Sequence, residues 1–427
     1  MGEVEDSFTN AFKGHLSDVV TVSLKGLAEA RDILSEVEKA TGTKPALVYA
    51  MFVPESVSVP DLQETQSSEK NSSENSQTNL KNDNDVLEIL IVTAKGKPIR
   101  KQVPGATRGN ILKVARRFQR EVSNPVKTST KTYLKPAQQL YQWLIAPIET
   151  ELQAQGIDNL SFITDVGLRS VPFAALHDGN GFLVEQYSLG LMPSLSLTNT
   201  NYTDIKQAKI LAMGASTFDE QNPLPAVPLE INNISKQWKG KSFLNNSFTL
   251  ENLKSQRSEQ PFGIIHLATH AEFRPGKLQN SYIQLSNTKL RLDEVRKMGW
   301  NNPPVELLTL SACRTALGDR EAELGFAGLA VQAGVKSALG SLWYVSDEGT
   351  LGLMAQFYQQ LKQTPIKAEA LRQTQIAMIK GEMFLEKGIL QLPQSKNIIP
   401  IPSLAGRSRK LVHPYYWSSF TLIGSPW

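Results

Sequence analysis

Cysteine is nearly absent: Cys313 stands alone among 427 residues. No intrachain disulfide framework and no cysteine-rich zinc cage can be built from one thiol, which fits a reducing compartment. Long apolar runs are missing too. No stretch approaches the ~18 residues that a membrane helix needs, and the opening residues, Met1 to Asp6, are acidic rather than basic then greasy. Neither a span nor a signal peptide is expected, and Asp6 stands where an N-myristoylation signal at Gly2 needs Ser or Thr. The cytoplasm is the expected compartment. Net charge is small: 45 Lys and Arg against 41 Asp and Glu leave +4, too little to argue for nucleic acid. What remains is globular material, since 41% hydrophobic residues exclude disorder throughout. At ~150 residues per domain, the length predicts two or three structural units.

The charge is unevenly spread. From Lys95 to Lys135 there are twelve basic residues and a single acid, Glu121. A solvated helix face through Lys113, Arg116, Arg117 and Arg120 accounts for most of this excess. A basic docking surface is the rival, and sparse aromatic interleaving argues against a nucleic-acid partner.

Helical periodicity up to Thr41 ends at Gly42 with Pro45 beyond. Residues 46–53 and 86–93 read as strands rich in branched side chains. Between them, residues 61–85 hold almost nothing apolar and are expected to form a mobile loop without chemistry. A helix over 136–152 and a strand at 160–165 complete a first α/β unit. A second unit opens with a strand at 209–214 and a helix around 229–238. A short strand near Phe243 and a helix capped by Thr249 follow. Short apolar strands at 263–268, 305–310 and 335–343, with a helix at 351–361, predict a mostly parallel sheet covered on both faces. No repeat of about 34 residues is present.

Several motifs fail. K-G-K-S at 239–242 has Ser235 where a phosphate loop needs its first glycine. G-A-S-T-F at 214–218 ends in Phe218 where a nucleophile elbow needs glycine. His266 and His270, in H-L-A-T-H, lack the Glu of a helical zinc pair, and on a strand they stand ~13 Å apart, too far for one metal. His266 reads as a core histidine, with His270 in the loop past the strand's carboxyl end. Cys313 sits just past the strand ending at Leu310 and 43 positions beyond His270, ample for one crossover between parallel neighbours. A Cys and a His at adjacent strand ends can share one crevice, where imidazole activates a thiol of ordinary pKa ~8.5 and then protonates a leaving amine. Taken alone, Cys313 reads first as a small inert hydrophobe after a buried strand.

The wider pattern resembles the CHAT domain, a caspase-related peptidase family in the clan of separase, caspases and gingipains, often joined to tetratricopeptide repeats. The resemblance rests on I-I-H-L-A-T-H-A-E-F (264–273), L-L-T-L-S-A-C-R-T-A-L-G (307–318), the stretch 325–347 and H-P-Y-Y-W-S-S-F-T-L-I-G (413–424). Residues 138–147 and 165–176 are similar as well, and the sequence resembles cyanobacterial members. The resemblance implies an α/β fold with a caspase-like, mostly parallel sheet flanked by helices, in two lobes. A pseudo-peptidase lobe would span 46–199 and a peptidase lobe 210–427, after a helical segment at 1–45. His270 would be the general acid/base and Cys313 the nucleophile of a dyad, with no third member. The backbone N–H groups of Ala271 and Cys313 would form the oxyanion hole.

Ala271 and Thr315 stand where caspases have glycine, and uncharged Ser311 where metacaspases have an acid. Ser311 and Asp347 are the substrate-binding candidates, and Glu323 is a second possible carboxylate. His413 reads as part of a packing motif with Tyr415, Tyr416 and Trp417. No metal or cofactor is implied. The expected partners are a protein or peptide substrate and a regulator carrying the repeats this chain lacks. A catalytically silent interaction module is the alternative.

Overall fold

The computed structural model describes residues 1–13, 22–54, 82–315, 317, 319–393 and 398–427, with Cys313 described by its backbone. Twelve strands come first: β1 (Pro45–Val53), β2 (Val86–Thr93), β3 (Ile99–Thr107), β4 (Asn159–Thr164), β5 (Ser188–Leu191), β6 (Ile210–Gly214), β7 (Gly240–Leu244), β8 (Ile264–Phe273), β9 (Tyr282–Gln284), β10 (Lys289–Arg291), β11 (Leu307–Thr315) and β12 (Ser337–Ser341). Then follow β13 (Phe384–Glu386), β14 (Ile389–Gln391), β15 (Ile399–Pro400), β16 (Arg409–Lys410) and β17 (Phe420–Gly424).

Thirteen of these strands join one sheet along the path β10-β9-β8-β11-β12-β17-β5-β4-β1-β2-β3, with β6 on β8 and β7 on β6. β13 to β16 form a separate four-stranded sheet. The large sheet is mixed and mostly parallel, as the alternation of strands with helices predicts. β2 is buried along its whole length, and β8 at every residue but Glu272. Such runs need cover on both faces, which is why they read as continuous apolar stretches rather than alternating ones. β17 lies antiparallel to β12 and parallel to β5, touching β5 through Ile423 and Leu191, so the sheet is continuous through both expected lobes.

Three departures from the sequence reading have physical causes. β8 and β11 run past Ala268 and Leu310 to Phe273 and Thr315, because their ends pair with each other across a register shift between Leu310 and Ala312. His270 and Cys313 therefore stand within strands, not in loops beyond them. β3 carries Pro104 and Gly105, which argue against a strand; it is an edge strand, where a missing N–H costs little, and its register with β2 shifts between Val103 and Thr107. The four-stranded sheet is built from strands of two or three residues, too short for any periodicity. Of the expected mobile loop at 61–85, residues 61–81 lie outside the described residues.

The basic helix Arg108–Val122 turns Ile111, Ala115, Phe118 and Val122 inward. Lys113, Arg116, Arg117 and Arg120 are exposed, and none forms an ion pair among the described residues. Among the described residues no helix is long and apolar enough to cross a membrane.

His413 caps the short helix Pro414–Trp417: its Nδ1 accepts the Tyr415 amide at 3.1 Å, and its ring meets Tyr133 edge-on at 4.9 Å. Burial holds its pKa down at about 4. The unfolded chain binds the proton that the folded chain refuses, so stability is lost as pH falls from the ordinary histidine value of ~6.5 toward 4. His413→Asn keeps a cap acceptor without a titrating ring. We expect it to remove of order ~2 kcal/mol of the acid sensitivity between pH 7 and 5, read from urea midpoints against the wild type.

Candidate active site

β11 flanks β8 along one side from Ile264 to Phe273, so the other side of β8 is shared. β6 takes Ile264 to Ala268 and β9 takes Ala271 and Glu272. The change of neighbour falls at Thr269 and His270. Where neighbouring strands part company, the chain leaving the sheet opens a crevice, the usual place for a ligand in an α/β sheet.

His270 stands at that opening and is 4% exposed. Its Nε2 lies 2.8 Å from the carbonyl of Asn222, in the loop after β6. A carbonyl only accepts, so Nε2 carries the hydrogen and the neutral ring presents Nδ1 as a lone pair. Nδ1 is buried and has no hydrogen-bond partner among the described residues. Phe218 and Tyr344 hold the ring, with centroids at 4.8 and 5.3 Å. Burial lowers the pKa of His270, outweighing the Asn222 carbonyl and Glu272, so the ring is neutral at pH 7.

Cys313 is the strand neighbour of Ala271, and Ala312 the neighbour of His270. The two expected catalytic positions thus lie on adjacent parallel strands, offset by one residue. Ala271 is fully buried and flanked by Cys313 on one side and Ile283 on the other.

A cavity of about 180 Å³ opens beside His270, walled by Ser311, Ala312, Tyr344, Asp347 and Glu230. His270, Ser311 and Asp347, picked from sequence for different reasons, meet there. Asp347 opens the helix Asp347–Gln360, and its Oδ2 accepts the Ala226 amide at 3.4 Å. Burial, then the nearby carboxylates of Glu348 and Glu230, push its pKa up to about 6, against the opposing pull of the Ala226 amide. Glu348 is engaged by Arg409 at 2.5 Å.

Glu230 was not legible in sequence. It is 3% exposed, and its Oε1 lies 2.8 Å from His266 Nε2. The other ring nitrogen of His266 meets the Tyr358 hydroxyl at 3.0 Å, which donates to Thr309 at 3.0 Å. His266 is fully buried, as a core histidine is expected to be, with Nδ1 hydrogen-bonded and Nε2 against Glu230 without hydrogen-bond geometry. Glu230 thus faces His266, and Asp347 is the second carboxylate of the cavity wall. Glu323, the other candidate carboxylate, lies outside the cavity wall and accepts the Gly167 amide at 2.7 Å and the Ser170 hydroxyl at 2.5 Å. Phe218 also lines an open groove of about 800 Å³ that runs over Tyr282 and Lys289, continuing away from His270. Among the described residues no group of three His, Cys, Asp or Glu is placed to hold a metal ion.

A mixed α/β sheet with a histidine at a strand switch point and an acid-lined cavity beside it defines the class of this protein. A family model for the CHAT domain matches residues 134–425, about two thirds of the chain. The chain belongs to the CHAT domain family. No curated protein matches it. Among solved structures it is similar to separase in the Saccharomyces cerevisiae separase–securin complex. There the identity is 10%, the coverage 93% of this chain and 30% of that chain, and the TM-score 0.49. A second structure of that complex gives 11% identity, 77% and 21% coverage and a TM-score of 0.39. RgpB of Porphyromonas gingivalis, in a complex of its pro- and mature domains, gives 10% identity, 76% and 77% coverage and a TM-score of 0.42. The chain thus spans a third or less of the separase chains it matches.

Proposed function

We propose that this protein is a cysteine endopeptidase in which His270 and Cys313 form the dyad and Asp347 selects a basic side chain before the scissile bond. The observation that carries the reading is the state of His270: neutral, tied through Nε2–H to Asn222, with an Nδ1 lone pair that has no hydrogen-bond partner among the described residues, on the strand beside the one that carries Cys313. In this mechanism Nδ1 takes the thiol proton, and the Cys313 thiolate attacks the peptide carbonyl. The tetrahedral oxyanion is met by the backbone N–H groups of Cys313 and Ala271. The proton on Nδ1 then passes to the leaving amine, and a water deprotonated by His270 hydrolyses the acyl-enzyme. Asp347, in a cavity with no Lys or Arg among its described wall residues, complements a Lys or Arg side chain, and the groove beyond Phe218 gives the extended substrate room.

Ala271 lies between β11 and β9, so exposing its N–H requires the end of β8 to part from one of these neighbours. That is where regulation would act, by a repeat-bearing partner or by cleavage within 61–85. Equal activity of the isolated and partner-bound chain would refute such control. The same burial of Ala271 favours the second reading, a silent interaction module.

Labelling by peptidyl electrophiles bearing Lys, Arg or Glu at the first position, read by intact mass, separates the two. The peptidase reading expects modification at Cys313 with the Lys and Arg probes and slow modification with Glu. Equal, slow labelling by all three, with and without candidate activators, supports the silent module.

A further inference from the structure

The N-terminal helix Gly2–Lys13 sends a carboxylate and two rings into the protein. Glu5 is fully buried, its Oε2 accepting the Tyr49 hydroxyl at 2.8 Å and its Oε1 the Ser196 amide at 2.6 Å. Phe8 packs on Tyr49 of β1 at 5.9 Å. Phe12, one turn further, is fully buried and lies 4.4 Å from the guanidinium of Arg169. A ring face is one of the few apolar surfaces that stabilises a buried cation.

Arg169, in the loop after β4, is itself buried. Its Nε donates to the Thr164 carbonyl at 3.0 Å, while its Nη1 has no hydrogen-bond partner among the described residues. Burial lowers its pKa to about 10, against the opposing fields of Asp165 and Glu323. Glu323 belongs to the helix Arg320–Ala327, which follows β11 in the chain. Its carboxylate grips the Gly167 amide and the Ser170 hydroxyl, so the 165–170 loop is held between Phe12 and that helix. The same helix sets Phe326 edge-on against Phe273, the last residue of β8, at 5.4 Å. A contiguous chain of contacts thus runs from the N-terminal helix to the ends of the two strands that carry His270 and Cys313.

We infer that the N-terminal helix is a built-in regulator: docked, its Phe12 fixes Arg169 and with it the 165–170 loop, and that loop, gripped by Glu323, positions the helix Arg320–Ala327 against the ends of β8 and β11. Its catalytic consequence rests on the peptidase reading, whereas the coupling does not. Removing Phe12 opens a cavity beside a buried cation and admits water to Arg169, which loosens the 165–170 loop that Glu323 grips. Phe8 is the matched control, since it leaves the same helix but packs on Tyr49.

Hydrogen exchange of the full chain tests the coupling against mere loss of stability. Phe12→Ala is expected to speed exchange in residues 320–327 by about tenfold or more, with Phe8→Ala changing it less than about twofold. Adding Arg169→Met to Phe12→Ala is expected to bring little further change, because Phe12 acts through Arg169. Should Phe12→Ala fail to fold, Phe12→Leu keeps the apolar volume and removes the ring, and the same difference from Phe8→Leu is expected. Equal effects of the two substitutions on 320–327, or none from either, would overturn the inference. If exchange responds as expected and Cys313 stays unreactive to every peptidyl probe, the coupling stands and the peptidase reading falls.

Discussion

His270→Ala is expected to lower kcat/KM for a Lys- or Arg-containing peptide by about 10³- to 10⁴-fold, with a modest loss of thermal stability. The magnitude follows from removing both the base that forms the thiolate and the acid that releases the amine, two roles one ring plays in sequence. Stability is lost as well, because the buried ring packs on Phe218 and Tyr344 and its truncation leaves a cavity. The pH dependence tests the assignment more sharply. Burial lowers the pKa of His270, so the base stays unprotonated below the ordinary histidine value, and the acid limb of labelling at Cys313 is expected below pH ~6.5. An acid limb at or above that value would place the ionisation on another group. His270→Gln, which can still donate to Asn222 but cannot carry the proton, is expected to be as slow as His270→Ala.

Asp347→Asn is expected to cost about 10²-fold in kcat/KM for Lys or Arg substrates, and to leave a substrate with Gln in that position within about threefold. The figure corresponds to one charge-assisted hydrogen bond in a half-buried site. The same substitution is expected to stabilise the protein. The folded chain holds a proton on Asp347 up to about pH 6, whereas the unfolded carboxyl gives it up near pH ~4. The folded state therefore binds more protons across that window, and stability is lost as pH rises through it. The amide removes this cost, so the melting temperature of Asp347→Asn is expected above that of the wild type at pH 7 and level with it below pH 4. Basic-substrate activity that survives the substitution would assign the selecting carboxylate elsewhere.

Much of the fold was legible because buried strands and amphipathic helices write themselves as apolar patterns. The positions of β1, β2, β4, β6 and β12 follow from their branched and apolar runs. β3, β9, β10 and the four-stranded sheet did not, since edge and very short strands carry no period and β3 includes a proline. The ends of β8 and β11 were missed for a different reason: residues 269–273 and 311–315 are polar or mixed, and only pairing across the two strands makes them extended.

At the site, His270, Ser311 and Asp347 were chosen from local motifs, and the structure gathers them on one cavity. Asn222, Phe218, Tyr344 and Glu230 had no such signal. Each acts through a backbone carbonyl, a ring contact or a partner dozens of residues away, and none of these leaves a spacing to read. Glu323 shows the converse. As a sequence letter it is interchangeable with Asp347, and only the loop it grips separates an anchor from a selector.

The position of β17 has a consequence for biogenesis. Residues 420–424 occupy the middle of the large sheet, between β12 and β5, so a ribosome emitting this chain delivers a central strand after the strands on either side of it. Until then the nascent polypeptide carries two half-sheets, each with an open edge able to recruit a foreign strand. Maturation is thereby tied to translation of residues 420–424, and the interval before β17 arrives is when chaperone protection matters most.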